Sequence, residues 1–278
     1  MKNILKNFYC DYIFLKLNSI SIADKTIFLF QKYIFFLSKL FGSNKVKLLG
    51  FGYDPGDGYG LLGVEIMLKD FYKYYFIKDL KEPVIVDAGA CVGNFTLAAN
   101  IFYKNATIYS IEPVKETFRL LESNTKCYQN IHNFNIGVGE NNEVKTIYFS
   151  KEEKDRSSFY KDNISKGVDA QTEEIVVKTL DTLFNEQKIT RVDILKIDVE
   201  GFEKEVIDGL GSKISAVQNI IIEIHLSKNK HNFAYINSYL DKNGFVLSKF
   251  GKTWETEGGS IDLFDAIYRK ESRVNSSC

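Results

Sequence analysis

The most informative stretch of this sequence is VIVDAGACVGN, residues 84–94. A short run of β-branched residues ends in Asp87, and a glycine-rich turn follows before an apolar helical pattern begins. Gly89 permits the tight turn and removes a side chain that would block a ligand, and Gly93 lets the start of the helix lie against the sheet. Ligands of open α/β sheets bind in such a strand-to-helix crevice. The stretch therefore predicts a ligand-binding α/β domain.

The next predicted strand also ends in an acidic residue. Glu112 follows the apolar run 107–111 and lies 23 residues after Gly89, and Pro113 takes the chain out of the strand. A carboxylate at this position can accept hydrogen bonds from both hydroxyls of a ribose. The order strand, turn, helix, strand and acidic residue predicts a cofactor that contains a nucleoside.

Two cofactor classes fit this arrangement. Nicotinamide-binding turns prefer G-x-G-x-x-G, but here Cys91 occupies the second glycine position, where its Cβ hinders close approach of a pyrophosphate. S-adenosylmethionine carries no phosphate, so the spacing favours it and leaves NAD as the alternative. We expect the cofactor to be held by residues of the two strand ends and of a third described next: Asp87, Gly89, Ala90, Gly93, Glu112, Pro113 and Asp198.

Two further strand ends carry clusters of charged residues. In DILKIDVEGFE, residues 193–203, Lys196, Asp198 and Glu200 alternate and share one face if the strand continues that far. In IIIEIH, residues 220–225, Glu223 and His225 end a very apolar strand. Buried charges are costly unless they pair or bind something. The clusters therefore indicate a functional site, and the alternative is a set of structural ion pairs that also caps the next helix.

Strands and helices alternate from residue 83 to the end of the chain, which predicts a mostly parallel sheet with helices on both faces. The predicted strands are 83–87, 107–111, 131–138, 144–149, 174–177, 193–198, 219–225, 245–250 and 261–269. Helices are predicted over 94–103 and 114–128, and residues 151–171 are predicted to form a mobile surface loop or lid.

Residues 1–55 are expected to form a helical extension, and residues 56–278 the catalytic domain. Residues 1–50 carry eight Lys and two Asp, a charge of +6, so the remaining residues sum to −6. The segment 11–41 is apolar around most of a helix and must be covered. Packing against the domain or a second subunit of a homo-oligomer is favoured over an interfacial helix at the inner membrane surface.

Composition excludes several classes. The chain has 36 basic and 36 acidic residues, so it lacks the basic footprint of a nucleic-acid-binding protein. Four scattered Cys predict reduced thiols in a cytoplasmic protein. The sequence contains no uninterrupted run of 18 apolar residues, so no membrane-spanning helix is predicted. A DNA amino-methyltransferase is disfavoured because no [DN]-P-P-[YFW] motif is present.

The motifs resemble those of the FkbM-type methyltransferases. The resemblance covers about residues 65–225 and rests on VDAGACVGNFT, IEP, VKTLDTL, LKIDVEGFEKEVIDG and IIIEIH. It implies a class I, Rossmann-like α/β fold with a seven-stranded sheet, S-adenosylmethionine as cofactor, and O-methylation of a sugar, glycan or other small-molecule hydroxyl. Cys91 departs from the family, which more often has Asn at this position.

For this reaction we expect His225 to be the general base, since an unperturbed imidazole titrates near neutral pH. Glu223 would orient the base or the substrate, Lys196 would keep the carboxylates ionised, and Asp198 would lie near the transferred methyl group. A rival arrangement uses Asp198, Glu200, Glu223 and His225 as ligands of a divalent ion, although no metal is assigned. The remaining alternatives are an NAD-dependent oxidoreductase and a non-catalytic ligand-binding module.

Overall fold

The computed structural model describes residues 74–150, 157–161, 169–226, 232–256 and 258–271. It also describes residues 22, 25, 26 and 29, and the backbone of residues 46–48 and 51–53.

Strands and helices alternate along most of the described chain. The strands are β1 (Val46–Leu48), β2 (Phe51–Tyr53), β3 (Val84–Ala88), β4 (Thr107–Ile111), β5 (Ile131–Phe134), β6 (Gly137–Val138), β7 (Glu143–Ser150), β8 (Ser157–Ser158), β9 (Ala170–Lys178), β10 (Ile194–Ile197), β11 (Asn219–His225), β12 (Phe245–Glu255) and β13 (Ile261–Lys270). The helices are α1 (Asn94–Phe102), α2 (Lys115–Thr125), α3 (Leu180–Glu186), α4 (Glu203–Asp208) and α5 (Asn232–Lys242), with a 3₁₀ helix at Gly211–Ala216.

The central sheet has seven strands in the order β12-β13-β11-β10-β3-β4-β5. Strand β13 is antiparallel to both of its neighbours, and the other neighbouring strands are parallel. The predicted seven-stranded, mostly parallel sheet is therefore confirmed. Strand order reverses between β3 and β10, and ligands of open α/β sheets bind outside the carboxyl ends of the strands at such a point.

The isoleucine-rich strands alternate between two apolar cores, one on each face of the sheet. Ile85, Ile194 and Ile221 pack with helix α1 on one face. Their chain neighbours Val86 and Leu195 pack on the other face, in a core that also holds residues of α3, α4 and α5. Burial on both faces explains why these strands are continuous apolar runs.

Charged residues take the next positions on the α1 face, towards the carboxyl ends of these strands. Asp87 and Lys196 are register partners, as are Glu223 and Asp265. Because side chains alternate along a strand, these residues lie on the same face as the α1-side isoleucines. On the α1 face, the apolar core is thus followed directly by a row of charged side chains at the carboxyl ends of the strands.

A second sheet, of four strands in the order β6-β9-β7-β8, stands apart from the first. The prediction of one strand over residues 131–138 was wrong, since β5 joins the central sheet and β6 pairs with β9. Asn135 lies at the break, where its amide donates to the carbonyls of Glu112 and Pro113 at 2.9 and 2.8 Å. The second sheet matters for function because it covers the carboxyl edge of the first.

The described residues test only part of the expectations for the N-terminal region and the lid. Residues 22, 25, 26 and 29 are helical, and Leu29 packs against the apolar core that contains α1. The rest of the predicted helix 11–41 lies outside the described residues, as do residues 151–156 and 162–168 of the predicted lid. Within the described part of the chain, no helix has the length and apolar character needed to cross a membrane.

Candidate active site

A cleft of about 260 Å³ lies at the carboxyl ends of β3, β4, β10 and β11, under the second sheet. The central sheet and its loops contribute Asp87, Gly89, Ala90, Cys91, Asn94, Phe95, Ile111, Glu112, Pro113, Lys196, Asp198, Val199, Glu200 and Glu223 to its lining. Residues of the second sheet and its connections complete it: Ile136, Gly137, Val138, Ile147, Ser157 and Phe159. Most residues expected from the sequence therefore meet here, except Gly93 and His225.

Gly89 is required by the protein segment that follows strand β10. Its φ is +84°, and a Cβ at this position would lie only 1.8 Å from the carbonyl oxygen of Asp198. The backbone turn therefore packs directly on the segment that carries Asp198, whose N–H donates to the carbonyl of Ala88 at 2.9 Å. Gly93, with φ +95°, serves helix packing instead, since a Cβ there would meet Leu121 of α2 at 2.9 Å.

Asp87 is held inside the fold by helix α1. Thr96 donates to its carboxylate at 2.6 Å and shares a second hydrogen bond of 2.8 Å with Ser110. Burial raises the pKa of Asp87 to about 6, although the hydrogen bond from Thr96 opposes the shift. The Asp87 carboxyl is therefore rigidly placed at the floor of the cleft.

Glu112 organises the turn through its carboxylate. It accepts the backbone N–H of Cys91 at 3.0 Å with one oxygen and that of Val114 at 2.9 Å with the other. Each oxygen keeps a second acceptor site, so Glu112 can still accept two hydroxyls. Burial raises its pKa to about 7, against the effect of the two backbone donors.

Lys196 is a buried cation surrounded by carboxylates. Its ammonium donates to Asp198 at 2.8 Å. Burial alone would lower the pKa of Lys196, but Asp198, Asp265 and Glu223 outweigh it and raise the pKa above its ordinary value. Asp265 was missed at the sequence level, although an aspartate within the apolar strand β13 indicates a buried polar contact. It accepts a hydrogen bond from the Tyr75 hydroxyl.

Asp198 and Glu223 form a carboxyl pair beside this lysine. Burial would raise the pKa of Asp198, but Lys196 and a hydrogen bond with Glu223 outweigh that effect and lower it. The pKa of Glu223 is raised well above its ordinary value by burial and by the charge of Asp198. A proton on this pair therefore favours Glu223, while Asp198, whose side chain is 36% exposed, is the more acidic group and faces the cleft.

The structure contradicts the reason for choosing His225 as the general base. The ring is buried and is not part of the cleft lining, and its Nδ1 lies 3.0 Å from Glu203. Burial alone would lower its pKa, but the adjacent carboxylates of Glu200 and Glu203 outweigh this and raise it to about 10. An imidazole with that pKa is protonated at neutral pH and has no lone pair with which to accept a proton.

Glu200 reaches the cleft by a route that the sequence pattern did not predict. Strand β10 ends at Ile197, so Glu200 does not share a strand face with Lys196. Glu200 instead occupies a turn with φ +51°, and its carbonyl accepts the Ser158 hydroxyl at 2.8 Å. This bond and the contact of the Phe159 and Phe202 rings, with centroids 4.4 Å apart, join the turn to the second sheet.

The lining fits a cationic cofactor better than a dinucleotide. It contains five carboxyl side chains, Asp87, Glu112, Asp198, Glu200 and Glu223, and the single cation Lys196 is already paired with Asp198. A pyrophosphate would meet repulsion without a free cation or an open glycine turn, whereas a sulfonium is attracted to such a site. Glu112 lies at the carboxyl end of β4, where the sequence predicted a ribose-binding carboxylate. The fold and the site define a class I methyltransferase that uses S-adenosylmethionine.

The chain belongs to the FkbM methyltransferase family, since the model of the methyltransferase FkbM domain matches residues 87–247. Among curated proteins it is 28% identical over 214 residues to methyltransferase 1 of Beauveria bassiana, covering 69% of this chain and 85% of that protein. It is 26% identical over 210 residues to methyltransferase sdnD of Sordaria araneosa, covering 64% of this chain and 80% of that protein.

Among solved structures, methyltransferase FkbM from Methylobacillus flagellatus KT superposes with a TM-score of 0.47 at 16% identity. The match covers 78% of this chain and 55% of that one.

Proposed function

We propose that this methyltransferase transfers its methyl group to a hydroxyl of a sugar, glycan or similar small molecule. The observation that carries the proposal is the Asp198–Glu223 pair, which keeps an ionised carboxylate oxygen open to the cleft. A hydroxyl is a poor nucleophile, and it must lose its proton as it gains a methyl group. A nearby carboxylate satisfies this need, and general-base assistance contributes about 10²–10⁴ in rate.

S-adenosylmethionine, when bound, supplies an activated methyl group on a positively charged sulfur. Asp87 and Glu112, which both line the cleft, would hold the cofactor, and Asp198, packed against the turn at Gly89, would face the acceptor. As the acceptor hydroxyl takes the methyl group, the Asp198–Glu223 pair would accept the hydroxyl proton. Positioning of the two reactants supplies about 7–11 kcal/mol of the reduction in the barrier.

Lys196 keeps this pair in a state that can accept the proton. Its ammonium binds Asp198 at 2.8 Å and favours the ionised form. The pair titrates as one unit, and because its first proton favours Glu223, the transferred proton goes to Asp198. The general base is therefore Asp198, paired with Glu223, and not His225.

The charge of the cleft supports an uncharged, polyhydroxylated acceptor. Five carboxyl groups line it, and carboxylates accept hydrogen bonds from sugar hydroxyls. The same charge repels polyanions, which is consistent with the expectation that nucleic acid is not a substrate.

The test is a screen of mono- and oligosaccharide acceptors with isotopically labelled S-adenosylmethionine, followed by NMR of any product. We expect an O-methyl product, and we expect Asp198→Asn to lose about 10²-fold or more in kcat while still binding S-adenosylhomocysteine. Asp241→Asn, on the exposed side of α5, is the matched control and should keep full activity. A product methylated on nitrogen or carbon, or an Asp198→Asn variant with unchanged kcat, would overturn the proposal.

A further inference from the structure

A group of potential metal ligands lies at the side of the cleft formed by Glu200 and Glu223, which we call the acceptor end. One oxygen each of Glu200 and Glu223 and one ring nitrogen of His225 lie within 4.8 Å of one another. Both glutamates line the cleft, whereas His225 lies behind them and is 1% exposed. Asp198, which the sequence placed in the same ligand group, is instead bound by Lys196.

The buried nitrogen of His225 points into this group. Its Nε2 is buried without a hydrogen-bond partner, although the nearest oxygens of Glu200 and Glu223 lie 3.3 and 3.5 Å away. Metal–ligand bonds of about 2.0–2.2 Å in a tetrahedral site place neighbouring donor atoms about 3.3–3.6 Å apart. The two distances from Nε2 therefore match two edges of such a site.

Glu203 orients the ring as the outer carboxylate of a metal site does. Its side chain is fully buried, and one oxygen accepts the backbone N–H of Gly201 at 2.7 Å and contacts Nδ1 of His225 at 3.0 Å. Metal-bound histidines almost always donate their second ring nitrogen to a carboxylate or carbonyl, which fixes the ring and the other nitrogen. Here that arrangement directs Nε2 towards Glu200 and Glu223.

We infer that Glu200, Glu223 and His225 form a binding site for one divalent transition-metal ion such as Zn²⁺ or Mn²⁺. One imidazole and two carboxylates suit these ions better than Mg²⁺ or Ca²⁺, which prefer oxygen ligands alone. On binding, the ion displaces the protons that the His225 ring and Glu223 hold in the metal-free chain. Because both glutamates line the cleft, the remaining coordination positions face the acceptor. If the proposed function is correct, the ion binds the acceptor hydroxyl and makes it more acidic.

The site is tested by titrating the metal-stripped full-length chain with Zn²⁺ in a calorimeter, and with Co²⁺ while visible absorption is recorded. We expect one equivalent of Zn²⁺ and the intense visible bands of tetrahedral or five-coordinate Co²⁺. His225→Gln should weaken Zn²⁺ binding by at least about 100-fold, and Glu203→Gln by about 10–100-fold. His132→Gln is the matched control, since this exposed histidine on β5 stacks on Tyr109, and it should bind as the wild type does.

Binding of S-adenosylhomocysteine is measured on every variant to show that it is folded. Absence of stoichiometric Zn²⁺ binding in the wild-type chain, or equal binding by His225→Gln, would overturn the inference. Stoichiometric binding that is lost in His225→Gln and retained in His132→Gln supports it. These outcomes do not depend on methyl transfer, so a metal site in a chain that methylates no hydroxyl would refute the proposed function alone.

Discussion

Gly89→Ala is the substitution that tests most sharply how the turn and the site depend on each other. The added Cβ would lie 1.8 Å from the carbonyl oxygen of Asp198, and ordinary contacts begin near 3.4 Å. The turn and the Asp198 segment would therefore have to separate by about 1.6 Å. That movement would break the hydrogen bond from Asp198 to Ala88 and shift the carboxylate assigned to catalysis.

The expected cost has two parts, and Gly244→Ala separates them. Both glycines have positive φ, +84° and +79°, which costs alanine about 1–2 kcal/mol, but a Cβ at Gly244 meets nothing within 4 Å. Gly89→Ala carries an additional overpacking cost of about 1–3 kcal/mol. At about 2–4 °C per kcal/mol for domains of this size, its Tm should fall about 2–12 °C further than that of Gly244→Ala.

Activity should separate the two variants more strongly than stability does. A misplacement of about 1 Å can cost about 10²-fold in rate, so kcat of Gly89→Ala should fall at least that far, while Gly244→Ala stays near wild type. Thermal unfolding and steady-state kinetics on one acceptor measure both effects. Equal Tm values and equal kcat values for the two variants would refute the reasoning.

Three further predictions concern the side of the cleft formed by Glu112 and the turn at Cys91. Burial raises the pKa of Glu112 to about 7, so its carboxylate is mostly protonated one pH unit below that value and mostly ionised one unit above. Calorimetry across this window should show S-adenosylhomocysteine binding about tenfold tighter at the higher pH, and Glu112→Gln should remove this dependence. The raised pKa also affects the stability of the ligand-free chain. The contribution of Glu112 to the free energy of unfolding is full below pH 4.5 and is lost as the pH rises through 7. Denaturant titrations across this range should therefore show a smaller decrease in the free energy of unfolding for Glu112→Gln than for the wild type. Cys91→Gly should still bind S-adenosylhomocysteine and reject NAD, because the acidic side chains of the lining remain. An NAD affinity comparable to that for S-adenosylhomocysteine would show instead that the Cys91 side chain excludes the pyrophosphate.

The cofactor half of the cleft was predictable because its features are local in the sequence. The strand ending in Asp87, the turn at Gly89 and the acid at Glu112 lie within one strand–helix–strand unit, and spacing alone identifies them. The reason for Gly89 was not predictable, since the carbonyl that excludes a Cβ belongs to Asp198, which follows β10 and is distant in sequence.

The properties of the residues at the acceptor end depend on contacts between segments that are distant in sequence, which no short sequence pattern reveals. The pKa of His225 is raised by Glu200 and Glu203, which the fold brings to the ring from the turn after β10 and the start of α4, so the ordinary value of an imidazole was misleading. The turn at Glu200, with φ +51°, interrupts the alternation expected after Lys196. Only two strands of the second sheet, β7 and β9, were predicted. The second sheet begins with β6, which separates from the central sheet directly after β5 and pairs with β9 instead.

Expectations for the two domains, the N-terminal membrane contact, oligomerisation and the cytoplasmic location remain predictions. They depend largely on residues 1–73, most of which lie outside the described residues.

The central claim is that the cleft between Asp87 and Glu112 binds the S-adenosyl cofactor. Isothermal titration of the purified chain with S-adenosylmethionine, S-adenosylhomocysteine and NAD tests it directly, with Glu112→Ala as the variant and Glu122→Ala, on α2 and exposed, as the control. We predict that the first two ligands bind with one site per chain, that Glu112→Ala weakens both while Glu122→Ala does not, and that NAD gives no heat of binding. Binding of NAD alone, or affinities for the S-adenosyl ligands that Glu112→Ala leaves unchanged, would contradict the account.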